Sequence, residues 1–149
     1  MVAHTLGNPF DLGKVLQFCK QHNLWLIEDC CDALGSEYNG EKVGSFGDVG
    51  CFSFHPRKAI TTGDGGVVVT NNEKLANKLR SLRNHGISTI NGNIDFKYAG
   101  LNYRMTEFQA VIGIDQLRNF DNQISYRKVL AKKYDNSLKK NKFIKVPKL

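Results

Sequence analysis

A lysine, two adjacent carboxylates and a serine stand where a folded chain could use them. Lys58 closes the run Ser53-Phe54-His55-Pro56-Arg57-Lys58, just past Val49 to Phe54, an apolar stretch that reads as a strand. Glu28-Asp29 follows a second apolar run, Leu24-Trp25-Leu26-Ile27, and Gly63-Asp64-Gly65-Gly66 comes shortly after Lys58. A lysine beside small, flexible residues can approach a bound carbonyl compound closely. If burial lowers its pKa, its amine becomes a Schiff-base nucleophile. The competing reading is a solvated loop lysine, which describes most lysines taken singly. The carboxylates are open to two uses as well: an active-site charge, or a cap for the segment that begins near Cys31. The glycines form no Walker loop, because no Gly-Lys-Ser/Thr follows, and they lack the spacing of a dinucleotide fingerprint.

Such residues need strands to hold them, since an open α/β sheet binds ligands at the carboxyl ends of its strands. Residues 2–5 read as the last part of a strand, and Gly7-Asn8-Pro9 as a turn. Asp11 is a candidate N-cap, and Leu12, Val15, Leu16 and Cys19 recur at helical spacing, which predicts an amphipathic helix over 12–22. Residues 24–27 read as a strand buried on both faces. The Gly-rich stretch 35–48 reads as loop or short hairpin, 49–54 and 67–70 as strands. Asn71 or Asn72 caps a helix with Leu75, Leu79 and Leu82 that runs to about Asn84, with Gly86 to close it. Residues 87–100 lack periodicity and read as loop. Thr106 with Gln109 fits a capping box for a helix carrying Phe108, Val111, Ile112 and Leu117. A second helix is expected over roughly 122–140, and Phe143 to Pro147 reads as the start of a strand. Strands that alternate with helices predict an α/β fold with a mainly parallel sheet and flanking helices.

Composition narrows the class. Hydrophobic residues make up 41% and charged residues 23%, a soluble balance, and no apolar run is long enough to cross a bilayer, so no membrane partner is expected. Residues 132–149 carry seven lysines against Asp135 alone, which places +6 of the net +7 in one stretch. A lysine-rich terminal helix is a solvated surface, and basic residues interleaved with aromatics are lacking, so no nucleic-acid partner is expected. Cys19, Cys30, Cys31 and Cys51 form no C-x-x-C pair and read as reduced and mostly buried thiols. No basic region and apolar core of a signal peptide follow Met1, and the expected location is cytoplasmic.

Several stretches, in order, carry a family resemblance. Ile27-Glu28-Asp29-Cys30-Cys31-Asp32-Ala33-Leu34-Gly35 resembles the cofactor strand of the DegT/DnrJ/StrS aminotransferases. Gly47-Asp48-Val49-Gly50-Cys51-Phe52-Ser53-Phe54-His55-Pro56-Arg57-Lys58 resembles their Schiff-base segment. Gly63-Asp64-Gly65-Gly66, Leu82-Arg83-Asn84-His85-Gly86 and Gly100-Leu101-Asn102-Tyr103-Arg104-Met105-Thr106-Glu107-Phe108-Gln109-Ala110 continue the match. His4-Thr5-Leu6-Gly7-Asn8-Pro9 resembles an earlier strand-end turn of the same fold. The resemblance covers nearly the whole chain.

The resemblance implies part of the large domain of a type I transferase that depends on pyridoxal 5'-phosphate (PLP). Lys58 would bond the cofactor and then shuttle a proton, and Asp29 would pair with the pyridine nitrogen. Asp32 would sit beside the 3-hydroxyl, where many members carry Gln. Ser53 would hydrogen-bond the phosphate, and Asn102 would reach the phosphate of a neighbouring subunit in a homodimer with a shared active site. His85 and Arg104 lie in matching segments. The implied reaction moves an amino group from an amino acid, glutamate by expectation, to a keto group of a nucleotide-linked deoxysugar, as in lipopolysaccharide or O-antigen biosynthesis. The Cys30-Cys31-Asp32 version also resembles the 3-dehydrases of the family, a dehydratase alternative. Those have His at the lysine position, and Lys58 favours amination. Family members are considerably longer, so the chain reads as a piece of one: 1–120 a partial PLP-binding domain, 121–149 a connecting helix and the start of a small domain. A phosphate-cradling Gly-Ser/Thr loop at a helix N-terminus would lie in the missing part. The isolated chain is expected to be inactive and to bind PLP weakly or not at all.

Overall fold

The computed structural model describes residues 1–90 and 92–146. In chain order the elements are β1 (Val2–Ala3), a 3-10 turn at Thr5–Gly7, α1 (Leu12–Gln21), β2 (Ile27–Asp29), β3 (Glu37–Tyr38), β4 (Glu41–Lys42) and β5 (Val49–Ser53). Then follow β6 (Gly66–Val69), α2 (Glu73–Leu82), β7 (Ile87–Ile90), β8 (Asn93–Phe96), α3 (Glu107–Arg118) and α4 (Phe120–Leu138). The main sheet has the order β1-β2-β5-β6. β1, β2 and β5 run parallel, with Asp29 paired to Ala3 on one side and Cys51 on the other. β6 returns antiparallel to β5, with Gly66 opposite Ser53. The mainly parallel α/β arrangement is therefore present, with one antiparallel edge strand. Parallel neighbours bring their carboxyl ends side by side, so the segments after Ala3, Asp29 and Ser53 emerge along one rim.

Local signals place the helices. Asp11 caps α1 by accepting from the Lys14 N–H at 3.0 Å, and Asn72 caps α2 by accepting from the Leu75 N–H at 3.1 Å. Thr106 and Gln109 form the reciprocal capping box of α3. The amphipathic face of α1 packs on the core: Leu12, Leu26, Cys30, Ala33 and Val43 are buried, with Val15, Leu16, Cys19, Phe46 and Phe52 against them. Gln116 of α3 binds the backbone of Thr61, and the Phe120 ring packs over Gly35.

Three expectations need correction. The strand expected at 24–27 begins only at Ile27, and Trp25 is 65% exposed. The cause is the end of α1: Asn23 takes φ 52°, and the Leu24 N–H reaches back to the Cys19 carbonyl at 2.9 Å. That left-handed closure consumes Leu24 in capping the helix. Residues 87–96, expected as loop, form the antiparallel β7–β8 hairpin, in register from Ile87↔Phe96 to Ile90↔Asn93. The Asn91-Gly92 dipeptide between these strands is a strong hairpin signal. Residues 143–146 form no strand, and Pro147 lies outside the described residues.

Candidate active site

Two turns on the strand-end rim carry the lysine and its carboxylate. The first leaves β2. Asp29 Oδ1 accepts from the Cys31 N–H at 3.1 Å, two residues on, which bends the chain as soon as the strand ends. Ala33 N–H closes back on the Cys30 carbonyl at 2.9 Å, and Ser36 Oγ donates to the Gly7 carbonyl at 2.7 Å. Asp32 sits on this turn. The second turn leaves β5 by the same device: Ser53 Oγ accepts from the His55 N–H at 3.2 Å, and the Lys58 N–H donates to the His55 carbonyl at 2.9 Å. Because β2 and β5 are paired neighbours, the turns face each other, and Lys58 Nζ meets Asp32 Oδ1 at 2.6 Å. The Lys58 side chain is 24% exposed and that of Asp32 47%, so the pair lies open to a small molecule from solvent.

Electrostatics distinguish the acids. The Cys31 hydrogen bonds, side-chain and backbone, hold the Asp29 carboxyl below the usual 3.8 against partial burial, and the Lys58 charge adds to the effect. Asp29 is therefore anionic throughout the neutral range. Cys31 shows the converse: burial, then its contact with the Asp29 carboxylate, pushes its thiol up to about 11. Burial likewise pushes Cys30 up to about 12, with the charges of Glu28 and Asp29 adding to it. All four cysteines are free thiols; Cys30 is buried, whereas Cys19, Cys31 and Cys51 are only half-buried, less than the sequence suggested.

Glu28, next to Asp29 on β2, has a different task. It is fully buried, and its two oxygens accept from the N–H groups of Gly44 at 2.8 Å, Phe46 at 2.8 Å and Gly47 at 2.7 Å. His4 Nε2 lies 3.0 Å from Oε2, and the His4 ring stacks on Phe10 at 4.3 Å. Glu28 thus ties the 44–47 loop and the end of β1 to the centre of the sheet. Alternation along β2 sends consecutive carboxylates to opposite faces. Of the pair left open on sequence, Glu28 is structural and Asp29 faces the lysine rim. The sequence reading missed both the His4–Glu28 pair and the Asp32–Lys58 contact. The only local signal for the first was the density of glycines around residue 46, whose free backbone N–H groups need an acceptor.

Asp29, Asp32 and Lys58 therefore converge and Ser53 stands at the end of β5 on the same rim, whereas Asn102 lies in another segment. It bridges to Asn84 beyond α2, and its Oδ1 accepts from Arg104 Nε at 3.1 Å. His85 is drawn to the same segment through the Leu101 carbonyl, at 3.0 Å.

An open α/β layer here gathers an amine, an anionic carboxylate and a hydroxyl on the ends of paired strands. The chain belongs to the DegT/DnrJ/EryC1/StrS aminotransferase family, whose model matches residues 1–149. It is 40% identical over 144 residues to a UDP-4-amino-4,6-dideoxy-N-acetyl-beta-L-altrosamine transaminase of Campylobacter jejuni, covering 96% of this chain and 38% of that one. It is 41% identical over 138 residues to a GDP-perosamine synthase of Caulobacter vibrioides, covering 93% of this chain and 37% of that one. Among solved structures, Helicobacter pylori PseC, an aminotransferase involved in the biosynthesis of pseudoaminic acid, superposes with TM-score 0.88 at 36% identity, covering 94% of this chain and 38% of that one. The chain thus spans about two fifths of the length of the relatives it matches. No described helix is long and apolar enough to cross a membrane.

Proposed function

We infer that the chain supplies the lysine-bearing part of a PLP-dependent aminotransferase that moves an amino group from an amino acid, glutamate in our reading, to a keto group of a nucleotide-linked deoxysugar. The observation that carries this reading is the Lys58 ammonium at the end of β5, 2.6 Å from Asp32 and close enough to Asp29 to influence its charge. The donor set fits the cofactor. Asp29 is anionic and stands at the end of β2 beside the Lys58 charge, which suits a protonated ring nitrogen. Ser53 uses its oxygen to accept from His55, and its own proton remains free to be donated to a phosphate. Lys58 offers a primary amine to an aldehyde and, once free, a group that carries a proton between neighbouring carbons. When bound, PLP supplies that aldehyde and an electron-withdrawing ring. Lys58 also disfavours the dehydratase alternative, whose members resemble this chain but lack the lysine.

In this proposal residues 1–120 form the PLP-binding portion and 121–149 the connecting helix toward a small domain. Asn102, which bridges to Asn84 and accepts from Arg104, serves the site of a partner subunit in a cytoplasmic homodimer. The relatives named as UDP- and GDP-sugar enzymes support the nucleotide-sugar class. The test is chemical mapping. A protein of the relatives' full length that carries this chain is incubated with PLP, reduced with borohydride and digested, and pyridoxyl-lysine is located by mass spectrometry. Label concentrated on Lys58 is expected. Label spread over the lysines of 132–149 that spares Lys58 overturns the assignment.

A further inference from the structure

The Asp32–Lys58 contact has a consequence beyond holding a cofactor. An amine that attacks a carbonyl must present a lone pair. Lys58 instead meets a carboxylate at 2.6 Å, in a charge-assisted hydrogen bond. The contact is built by the backbone on both sides. Asp29 Oδ1 bonds the Cys31 N–H and so forms the turn that carries Asp32. Ser53 Oγ bonds the His55 N–H and so forms the turn that carries Lys58. The β2–β5 register then brings the two turns together. Two of the proposed cofactor ligands thus aim the ion pair through their backbone hydrogen bonds.

We propose that Asp32 is a docking carboxylate for free Lys58. It holds the ammonium whenever the lysine is not bonded to a carbonyl carbon, and Lys58 must leave Asp32 before it can react. This rests on the reading of Lys58 as the cofactor lysine. It adds a positioning role for Asp32 that a neutral amide at the same place would fill poorly. In the part of a transamination cycle in which Lys58 is released, Asp32 receives the freed ammonium. The carboxylate therefore favours the lysine-released state of the enzyme and slows capture of an aldehyde.

The test needs no cofactor. The folded chain is trace-acetylated with acetic anhydride, and labelling of Lys58 is measured by peptide mass spectrometry relative to Lys132, an exposed lysine of α4. For a part-exposed pair, Asp32→Asn is expected to raise the Lys58:Lys132 ratio about fivefold. Asp32→Glu, which keeps the charge, should return it to within about twofold of the parent. A ratio unchanged or lowered in Asp32→Asn, or raised equally in Asp32→Glu, overturns the proposal. Should Asp32→Asn lose its circular dichroism, the parent chain decides. Raising salt from about 0.05 M to about 1 M screens the pair and must raise the ratio; an unmoved ratio overturns the docking role. Since PLP is absent throughout, failure of the borohydride map and failure of this test are distinguishable.

Discussion

Replacing Glu28 by Gln tests the central claim about how the rim is held. The carboxylate accepts three backbone N–H groups and faces His4 Nε2, with both side chains out of reach of solvent and the Phe46 and Gly47 N–H groups part-buried. A glutamine in the same position has one oxygen and one NH2. If the NH2 takes the place of Oε1, the N–H groups of Phe46 and Gly47 both face a donor. If it takes the place of Oε2, only the Gly44 N–H does, and His4 must present a lone pair from Nε2. The second arrangement is the less costly. One orphaned buried N–H costs about 1–3 kcal/mol, and the two remaining bonds each lose about 1 kcal/mol of charge assistance. The expected loss is therefore about 3–5 kcal/mol, a large share of the stability of a domain this size. With a urea m-value of about 2 kcal/mol/M, the unfolding midpoint should fall by about 2 M. A midpoint shifted by less than about 0.5 M, at unchanged m-value, would show that Glu28 does not hold the 44–47 loop to the sheet.

Three further outcomes follow from single features. In native chain, Cys30 should resist iodoacetamide at about pH 8, because its thiol is pushed up to about 12 and fully buried, and it should alkylate readily in denaturant; rapid native labelling, read by intact mass, would contradict the buried placement. The Asp29 carboxyl is held below 3.8, so its contribution to stability is fully present above that value and is lost as the pH falls through the depressed one. Thermal midpoints of the parent and Asp29→Asn should differ at neutral pH and converge only in the acid range below 3.8, and convergence already near neutrality would refute the assignment. Gly86→Ala should cost about 2 kcal/mol in urea unfolding, because Gly86 has φ 75° and an added Cβ would collide with the Tyr98 carbonyl; a neutral substitution would mean that the base of the β7–β8 hairpin is differently arranged.

Where structure depends on near neighbours, residue types alone were informative. Asp11, Asn72 and Thr106 with Gln109 cap their helices as their spacing required, because a cap is decided within four residues. The apolar face of α1 followed helical periodicity, and the β-branched run at 67–70 formed a strand by local propensity, for the same reason. The lysine and the neighbouring acids could be marked as strand-end residues, but not separated. Apolar character at 24–27 gave no warning that the end of α1 would claim Leu24, since a left-handed closure at Asn23 competes for the same residues. The hairpin at 87–96 escaped because Ile87-Ser88-Thr89-Ile90 lacks alternation, although Asn91-Gly92 and the alternating Asn93-Ile94-Asp95-Phe96 carried its signal.

Lys58 shows the division most clearly. Its identity, its position after a strand and the company of Ser53 and Asp29 were written in the chain. That Asp32, 26 residues away, would stand 2.6 Å from its amine was not. That contact requires β2 and β5 to be parallel neighbours in one register and two separate turns to bend toward each other. Likewise nothing in the pair Glu28-Asp29 said which acid would serve the rim. Only the packing of the 44–47 loop on one face of β2 decided it, because three N–H groups of that loop had to be satisfied there, whereas Asp29 meets only the Cys31 N–H of its own turn.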